Sequence, residues 1–283
     1  MLRLSLILLL SIAFPVHALT FQTRMEKVAW TVEGDQFECR LSQMVDGYGE
    51  ASFVRQAGDQ PVFQLSASMG LMRPGPARLS NNPPPWRPGL NASAVGHAMI
   101  ESGSGRLQLP YQQSAQMLAG LAQGLHPTIE RGAISDATQT VKVVISSVGY
   151  QRAWQEYQQC MAGLLPYNRD QIARTPIGFP SGGTALTADA RELLDVVLVY
   201  LEADKTIRKI ELDGHTDNVG DRLDNRELSR QRALAVQRYL VERGADEELF
   251  TLRFHGARYP LAGNNTAAGR ATNRRVLLRL NSS

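Results

Sequence analysis

The hydrophobic pattern of this chain changes near residue 166, and this change constrains the fold more than any other feature of the sequence. Between Leu19 and Ser68, apolar and polar residues alternate in short runs separated by turn pairs such as Gly34-Asp35, which predicts β-strands. Beyond residue 166, strand-like and helix-like segments alternate instead. We therefore predict an α+β protein with two domains, a strand-rich mixed domain at 19–166 and an α/β domain at 167–283.

Residues 1–18 have the pattern of a secretory signal peptide. Arg3 precedes an apolar run from Leu4 to Phe14, and small residues lead to a predicted cleavage site after Ala18. The run is too short to span a bilayer, so we expect no transmembrane span. The residue after the site is leucine rather than cysteine, so no lipid attachment is expected. We predict export to the periplasm.

The chain has only two cysteines, Cys39 and Cys160. In an oxidising compartment they are expected to form a disulfide that closes nearly the whole first domain. The loop-entropy model gives such a long loop a stabilisation of about 4–5 kcal/mol. The alternative is two buried thiols. A catalytic thiol is disfavoured, because Cys160 lies in a helical pattern without a nearby histidine to activate it.

A proline-rich stretch, MRPGPARLSNNPPPWRPG, extends from Met72 to Gly89. Its proline density predicts that it forms no regular structure. Two interpretations stay open, a surface loop or a docking element that presents Trp86 to a partner. Further on, Pro110 is expected to start a helix, followed by a strand at 138–147 and by the helix that carries Cys160. Paired carboxylates, a metal-ligand cluster and an activated nucleophile are missing from this domain, so we expect no enzymatic activity, metal or cofactor.

The second domain is predicted to alternate strands and helices. Its predicted helices run from Ala188 to Glu202, with Thr187 as the N-cap, and from Asn225 to Arg243, with Gly244 after the end. Its predicted strands contain Ile177 and Phe179, then Ile210 and Leu212, then residues 249–256 and 273–280.

An arginine lies where the second of these helices should face the core. Arg232 falls in the middle of an apolar stripe formed by Leu228, Ala235, Val236, Tyr239 and Leu240. It could extend to water from the edge of the stripe, form a structural ion pair, or be a ligand-binding group held by the core. The central position weakens the first explanation, and the other two require a carboxylate nearby. Asp217 is the expected partner or co-ligand, because ligands bind beyond the carboxyl ends of strands in α/β layers.

An acid and an arginine held side by side suit a ligand centre that bears both an ammonium and a carboxylate group. Asp217 would bind the ammonium, and Arg232 would hold the carboxylate in a bidentate hydrogen bond. Asn225 could cap the helix and shape the loop. A structural salt bridge satisfies the same pattern and stays open as an alternative. We expect His215 to be a structural hydrogen-bonding residue, because neither a nucleophile nor further metal ligands accompany it at suitable spacing.

The second domain resembles the OmpA-like peptidoglycan-binding domain, with similarity extending over residues 172–280. Two segments carry the resemblance: GHTDNVGDRLDNRELSRQRALAVQRYLVERG and FHGARYPLAGNNTAAGRATNRRV. The resemblance implies an α/β sandwich that binds the diaminopimelate residue of the cell-wall stem peptide. Its principal ligand-binding residues would be Asp217 and Arg232. Further positions of the pattern fall on Thr216, Asn225, Leu228, Arg274 and Arg275. Replacing Asp217 or Arg232 by alanine is then expected to abolish peptidoglycan binding without unfolding the domain.

The layout of the exported chain resembles the MotY family of flagellar motor proteins, including the positions of its two cysteines. This resemblance implies that the first domain associates with the flagellar basal body and a periplasmic, MotX-like motor partner or stator subunits. The second domain would fix the assembly to peptidoglycan, as in a T-ring-type component that holds stator units around the motor. The formal net charge is only +3 without a large excess of one sign in either half, so nucleic acid is not an expected partner. The alternatives are a general cell-envelope anchor unrelated to flagella and, more distantly, a wall-acting enzyme with a targeting domain.

Overall fold

The structure is a computed structural model that describes residues 18–103, 106–136 and 138–282. The predicted signal peptide, apart from Ala18, lies outside the described residues. The chain divides into two compact units, of which the first runs to Gln56 and continues over Gln60–Gly163. The second unit comprises Ala57–Asp59 and the chain from Leu164 onward. Within the described ranges, no helix combines the length and the apolar character needed to cross a membrane.

Two five-stranded sheets and two helices make up the described part of the first unit. Its elements are β1 (Ala18–Phe21), β2 (Trp30–Gly34), β3 (Glu38–Val45), β4 (Gly49–Gln56), β5 (Val62–Ala67), β6 (Gly75–Asn82), β7 (Ser93–Ile100), β8 (Leu107–Gln108), α1 (Tyr111–Ala122), β9 (His126–Gly132), β10 (Thr140–Val144) and α2 (Tyr150–Ala162). One sheet has the order β1-β10-β9-β6-β7, and the other has the order β2-β3-β4-β5-β8. Every pairing is antiparallel except that of β1 with β10.

Strands β2 to β5 form where the sequence pattern predicted them. Alternation buries one face of β3 and of β5, whereas β4 is buried on both faces from Ala51 to Val54. Leu41 on β3 lies opposite Phe53 on β4, which in turn lies opposite Phe63 on β5, and all three side chains are fully buried. The two phenylalanine rings have centroids 5.1 Å apart. Burying one side chain of this size contributes about 1.5–3 kcal/mol, so a few such positions anchor the sheet.

The predicted disulfide between Cys39 and Cys160 is confirmed, and it joins β3 to α2 across a sequence separation of 121. Cys39 is fully buried. Gly34 pairs with Cys39 across β2 and β3 and leaves room for the bond, since a Cβ at Gly34 would lie 2.6 Å from the Cys160 Sγ. The strand pairing and the bond therefore depend on a glycine at this position.

The prediction that Met72–Gly89 forms no regular structure is wrong, because it contains β6, which pairs with both β7 and β9. The prolines cluster near the two ends of the strand: Pro74 and Pro76 precede the start of the β9 pairing at Arg78, and the remainder follow Asn82. Their missing N–H groups therefore leave the central ladder intact. Trp86, half exposed, packs edge-on against His126 with ring centroids 5.5 Å apart, so it contacts its own domain.

The second unit is a four-stranded sheet with the order β11-β14-β12-β13, accompanied by helices. Its elements are α3 (Arg169–Ile172), β11 (Arg174–Gly178), α4 (Ala188–Ala203), β12 (Ile207–His215), α5 (Arg222–Val241), β13 (Phe250–Gly256), α6 (Ala267–Asn273) and β14 (Arg275–Ser282). β12 pairs in parallel with β13 and antiparallel with β14. α5 packs so closely on the sheet that a Cβ at Gly214 would lie 2.1 Å from the Ser229 carbonyl oxygen.

The helix caps of the second unit match the sequence prediction at α4 but not at α5. Thr187 caps α4 by accepting a hydrogen bond from the Ala190 N–H, as predicted. α5 begins at Arg222 with Asp221 as its N-cap, so the prediction that Asn225 caps this helix is wrong. The added turn presents an exposed Leu223, and apolar periodicity therefore could not reveal it.

Candidate functional site

The predicted site lies where β12 ends and the chain turns into α5. Thr216 is buried and its N–H donates to the Gly256 carbonyl on β13, which fixes the start of the turn. Asp217 is 7% exposed, and its Oδ1 accepts a hydrogen bond from the Val219 N–H. Asn225 is buried in the first turn of α5 and donates from Nδ2 to the Val219 carbonyl oxygen. Asn225 thus shapes this loop from inside the helix.

Arg232 projects from α5 into the core and is fully buried. Its guanidinium donates to three backbone carbonyls: Nε to Gly183 at 2.9 Å, Nη1 to His215 at 3.2 Å and Nη2 to Pro180 at 2.9 Å. Burial lowers the pKa of Arg232 to about 10; Asp217 opposes this decrease and Arg274 adds to it. The side chain remains protonated at neutral pH, and its complete burial excludes extension to water from the edge of the stripe.

The ion pair of the site joins Asp217 to Arg274 rather than to Arg232. Arg274 Nη1 lies 3.0 Å from Asp217 Oδ2, and both side chains are largely buried, with 16% and 9% of their surfaces exposed. Arg274 Nε also donates to the Phe179 carbonyl at 3.2 Å. Phe179 connects the two arginines, because its ring centroid lies 5.3 Å from the Arg232 Cζ. One carboxylate and two guanidiniums therefore converge on the segment after β11.

The remaining predicted residues take different positions. Leu228 is half-buried on α5, and the polar contacts described around Asp217 do not involve it. Arg275 is buried but donates to the Asn273 and Tyr259 carbonyls. Burial lowers the pKa of Arg275, and Asp213 opposes this decrease. The structure therefore brings Arg274, and not Arg275, to Asp217.

His215 is held as a structural residue, in agreement with the sequence prediction. It is buried, its Nδ1 lies 3.2 Å from the Arg258 carbonyl oxygen, and its ring stacks on His255 with centroids 4.8 Å apart. Burial, reinforced by the neighbouring Arg275, lowers the pKa of His215 to about 4. In the parts of the chain that the structure describes, no cluster of three or more histidine, cysteine or acidic residues is arranged to hold a metal ion.

Sequence reasoning missed the segment from Phe179 to Gly183 as part of the site. The Phe179, Pro180 and Gly183 carbonyls hold Arg274 and Arg232 through backbone oxygens that any residue type supplies. The available signal was the Ser-Gly-Gly turn directly after the first strand of the domain, which marks a loop near the ligand-binding edge of the sheet.

Comparison with known proteins assigns a family to each part of the chain. Residues 21–166 match the model of the MotY N-terminal domain. This chain belongs to the MotY family. Residues 178–274 match the model of the OmpA family, so the C-terminal domain of this MotY-family protein is OmpA-like. Both resemblances seen in the sequence are confirmed.

Individual relatives cover different shares of this MotY-family chain. The sodium-type flagellar protein MotY of Vibrio parahaemolyticus is 28% identical over 248 residues, which cover 86% of this chain and 83% of the Vibrio protein. The outer-membrane lipoprotein YfiB of Pseudomonas aeruginosa is 39% identical over 99 residues, covering 35% of this chain and 54% of YfiB. Among solved structures, the peptidoglycan-associated lipoprotein from Burkholderia pseudomallei is 27% identical to this chain. The match covers 38% of this chain and 89% of the lipoprotein, with a TM-score of 0.36.

Proposed function

We propose that this protein is a non-enzymatic, periplasmic component of the flagellar motor whose C-terminal domain binds the diaminopimelate of peptidoglycan. The observation that carries the proposal is the convergence of Asp217, Arg232 and Arg274 on one largely buried corner of the OmpA-like domain. Carboxylate and guanidinium groups in a desolvated setting form strong, directional hydrogen bonds with an amino-acid centre.

Each group of the site has a separate role in this proposal. Asp217 binds the ligand ammonium, while Arg232 and Arg274 bind the ligand carboxylate. Arg232 has five N–H donors, of which three serve the carbonyls, so two remain for a ligand. Thr216 and Asn225 position the Asp217 loop, and Leu228 contributes apolar surface beside it.

The first domain, in this proposal, associates with the basal body and with a MotX-like periplasmic partner or stator subunits. The protein would then act as a T-ring-type component that holds stator units around the rotor. A stator must react against a rigid body, and peptidoglycan is the rigid body that the periplasm offers. Membership of the MotY family supports this role.

Co-sedimentation with purified peptidoglycan tests the binding function. Asp217→Asn retains the shape of the side chain and removes its charge, so it is expected to lower affinity about tenfold or more, the usual value of a charge-assisted hydrogen bond. Asp224→Asn is the matched control, because Asp224 is an exposed acid in the first turn of α5, the helix that follows the Asp217 loop. Equal binding by both variants and the wild type would exclude Asp217 from the site.

Motility of a strain that lacks the gene tests the motor role. We expect flagella to be present by electron microscopy and swimming to be slow or absent. Normal swimming by well-flagellated cells would instead indicate a general envelope anchor. Zymography on peptidoglycan separates both from the wall-acting enzyme, which alone would clear the gel.

A further inference from the structure

Asp217 already has a cationic partner within its own domain. Its Oδ2 pairs with Arg274 Nη1 at 3.0 Å, and its Oδ1 accepts the Val219 N–H at 3.2 Å. Since the carboxylate is only 9% exposed, the Arg274 guanidinium occupies the position in which a ligand ammonium would meet it. A ligand that binds Asp217 through an ammonium group must therefore displace Arg274.

A displaced Arg274 needs a new anion, because a guanidinium that loses its partner in a largely buried setting is costly. Arg232 cannot relieve this cost, since it is itself a buried cation that is held by neutral carbonyls. Arg274 and Arg232 also donate to the carbonyls of two consecutive residues, Arg274 to Phe179 and Arg232 to Pro180. An anion placed between the two guanidiniums would satisfy both.

We propose that Arg274 determines the selectivity of the site by exchanging partners: it leaves Asp217 when a ligand ammonium arrives and pairs with the carboxylate on the same carbon of that ligand. The proposal rests on the proposed function and adds a rule about which ligands are accepted. A compound with both groups on one carbon keeps every displaced charge paired. A plain amine displaces Arg274 without offering it an anion, so the site rejects amines even though Asp217 is an acid.

Isothermal titration of the full exported chain with meso-diaminopimelate and with cadaverine, its decarboxylated counterpart, tests this exchange. The informative variant is Arg274→Gln, which removes the competing cation from Asp217. Its affinity for cadaverine should rise about tenfold, while its affinity for diaminopimelate should fall, because each change reflects one charge-assisted hydrogen bond. The cadaverine gain should vanish in the Asp217→Asn/Arg274→Gln double variant.

Arg258→Gln serves as the control for a general loss of positive charge. Arg258 is exposed on the loop after β13. It lies near the end of β12, since its carbonyl oxygen is 3.2 Å from His215 Nδ1. An equal rise in cadaverine affinity for Arg258→Gln and Arg274→Gln, or no rise for Arg274→Gln, would overturn the exchange while leaving diaminopimelate binding by the wild type in place. Failure of the wild type to bind diaminopimelate would overturn the proposed function together with the exchange.

Discussion

Replacement of Arg232 by alanine should destabilise the C-terminal domain before it informs on ligand binding. The Gly183, His215 and Pro180 carbonyls would each lose a donor, but the Pro180 carbonyl keeps the Gly183 N–H. The other two carbonyls, left without this donor, cost about 1–3 kcal/mol each, so simple addition gives about 2–6 kcal/mol. We expect the lower part of this range, about 2–4 kcal/mol, because Gly183 lies on a loop that water can reach. This revises the expectation that Arg232→Ala leaves the domain folded.

Urea unfolding of the full chain can measure this loss with an internal reference. All three tryptophans, Trp30, Trp86 and Trp154, lie in the first unit, so their fluorescence follows that unit alone. Far-UV circular dichroism follows both units. Arg232→Ala should therefore shift the circular-dichroism transition to lower urea while the fluorescence transition stays in place.

The control for Arg232→Ala is Arg238→Ala, an exposed position on the same helix, where a change within about 0.5 kcal/mol is expected. Arg232→Lys should be intermediate, because a single ammonium cannot reach all three carbonyls. If Arg232→Ala unfolds at the same urea concentration as Arg238→Ala, the carbonyl contacts do not hold the loop and the reasoning fails.

Two further outcomes concern pH and redox state. Acidification from pH 6.5 to about 4 should lower the unfolding free energy of the second unit by up to about 3 kcal/mol through His215. Burial, and then Arg275, lower the pKa of His215 in the folded chain. The unfolded chain therefore takes up a proton in this pH range that the folded chain does not. The Arg258 carbonyl and Asp213 oppose this pKa shift, and His255 adds to it. In His215→Asn, stability should depend less steeply on pH. An unchanged slope would contradict the role of His215 in the pH dependence. Reduction of the disulfide should lower the unfolding free energy of the first unit by about 5 kcal/mol, given its separation of 121 residues. The Cys39→Ser/Cys160→Ser variant should match the reduced protein, and a difference below about 2 kcal/mol between oxidised and reduced protein would count against the loop-entropy model.

The sequence placed Asp217 just after a strand end and Arg232 on the core-facing side of a helix, because strand ends and helix faces follow from apolar periodicity. It could not identify the partners of Arg232, since these are backbone oxygens brought in from a distant loop. Nor could alternation distinguish Arg274 from Arg275. The structure separates them, because Arg275 is the first residue of β14 while Arg274 precedes the strand and is free to point toward Asp217.

The same limit applies to the first domain, where strong alternation in β2 to β5 made the strands predictable. β6 was missed because prolines lie at its start and after its end, although only the central part of the strand requires its N–H groups. β7 and β9 were missed because their sequences, SAVGHAMI and HPTIERG, contain small, polar and charged residues where a regular apolar alternation would be needed. Their pairing with β6 depends on the neighbouring strands, which local patterning does not encode.

The position of the disulfide has a consequence for a chain under tension. Cys160 lies in the last turn of α2, just before Gly163, where the first unit ends. A force carried along the chain from Leu164 reaches this turn first and can extend only the residues beyond Cys160 before the sulfur bridge becomes taut. The force then passes covalently to Cys39 on β3, which is hydrogen-bonded on one side to β2 and on the other to β4. Further extension requires shearing a strand that is paired along both edges, so the oxidised unit should act as a short, stiff tether and the reduced unit as a longer, compliant one.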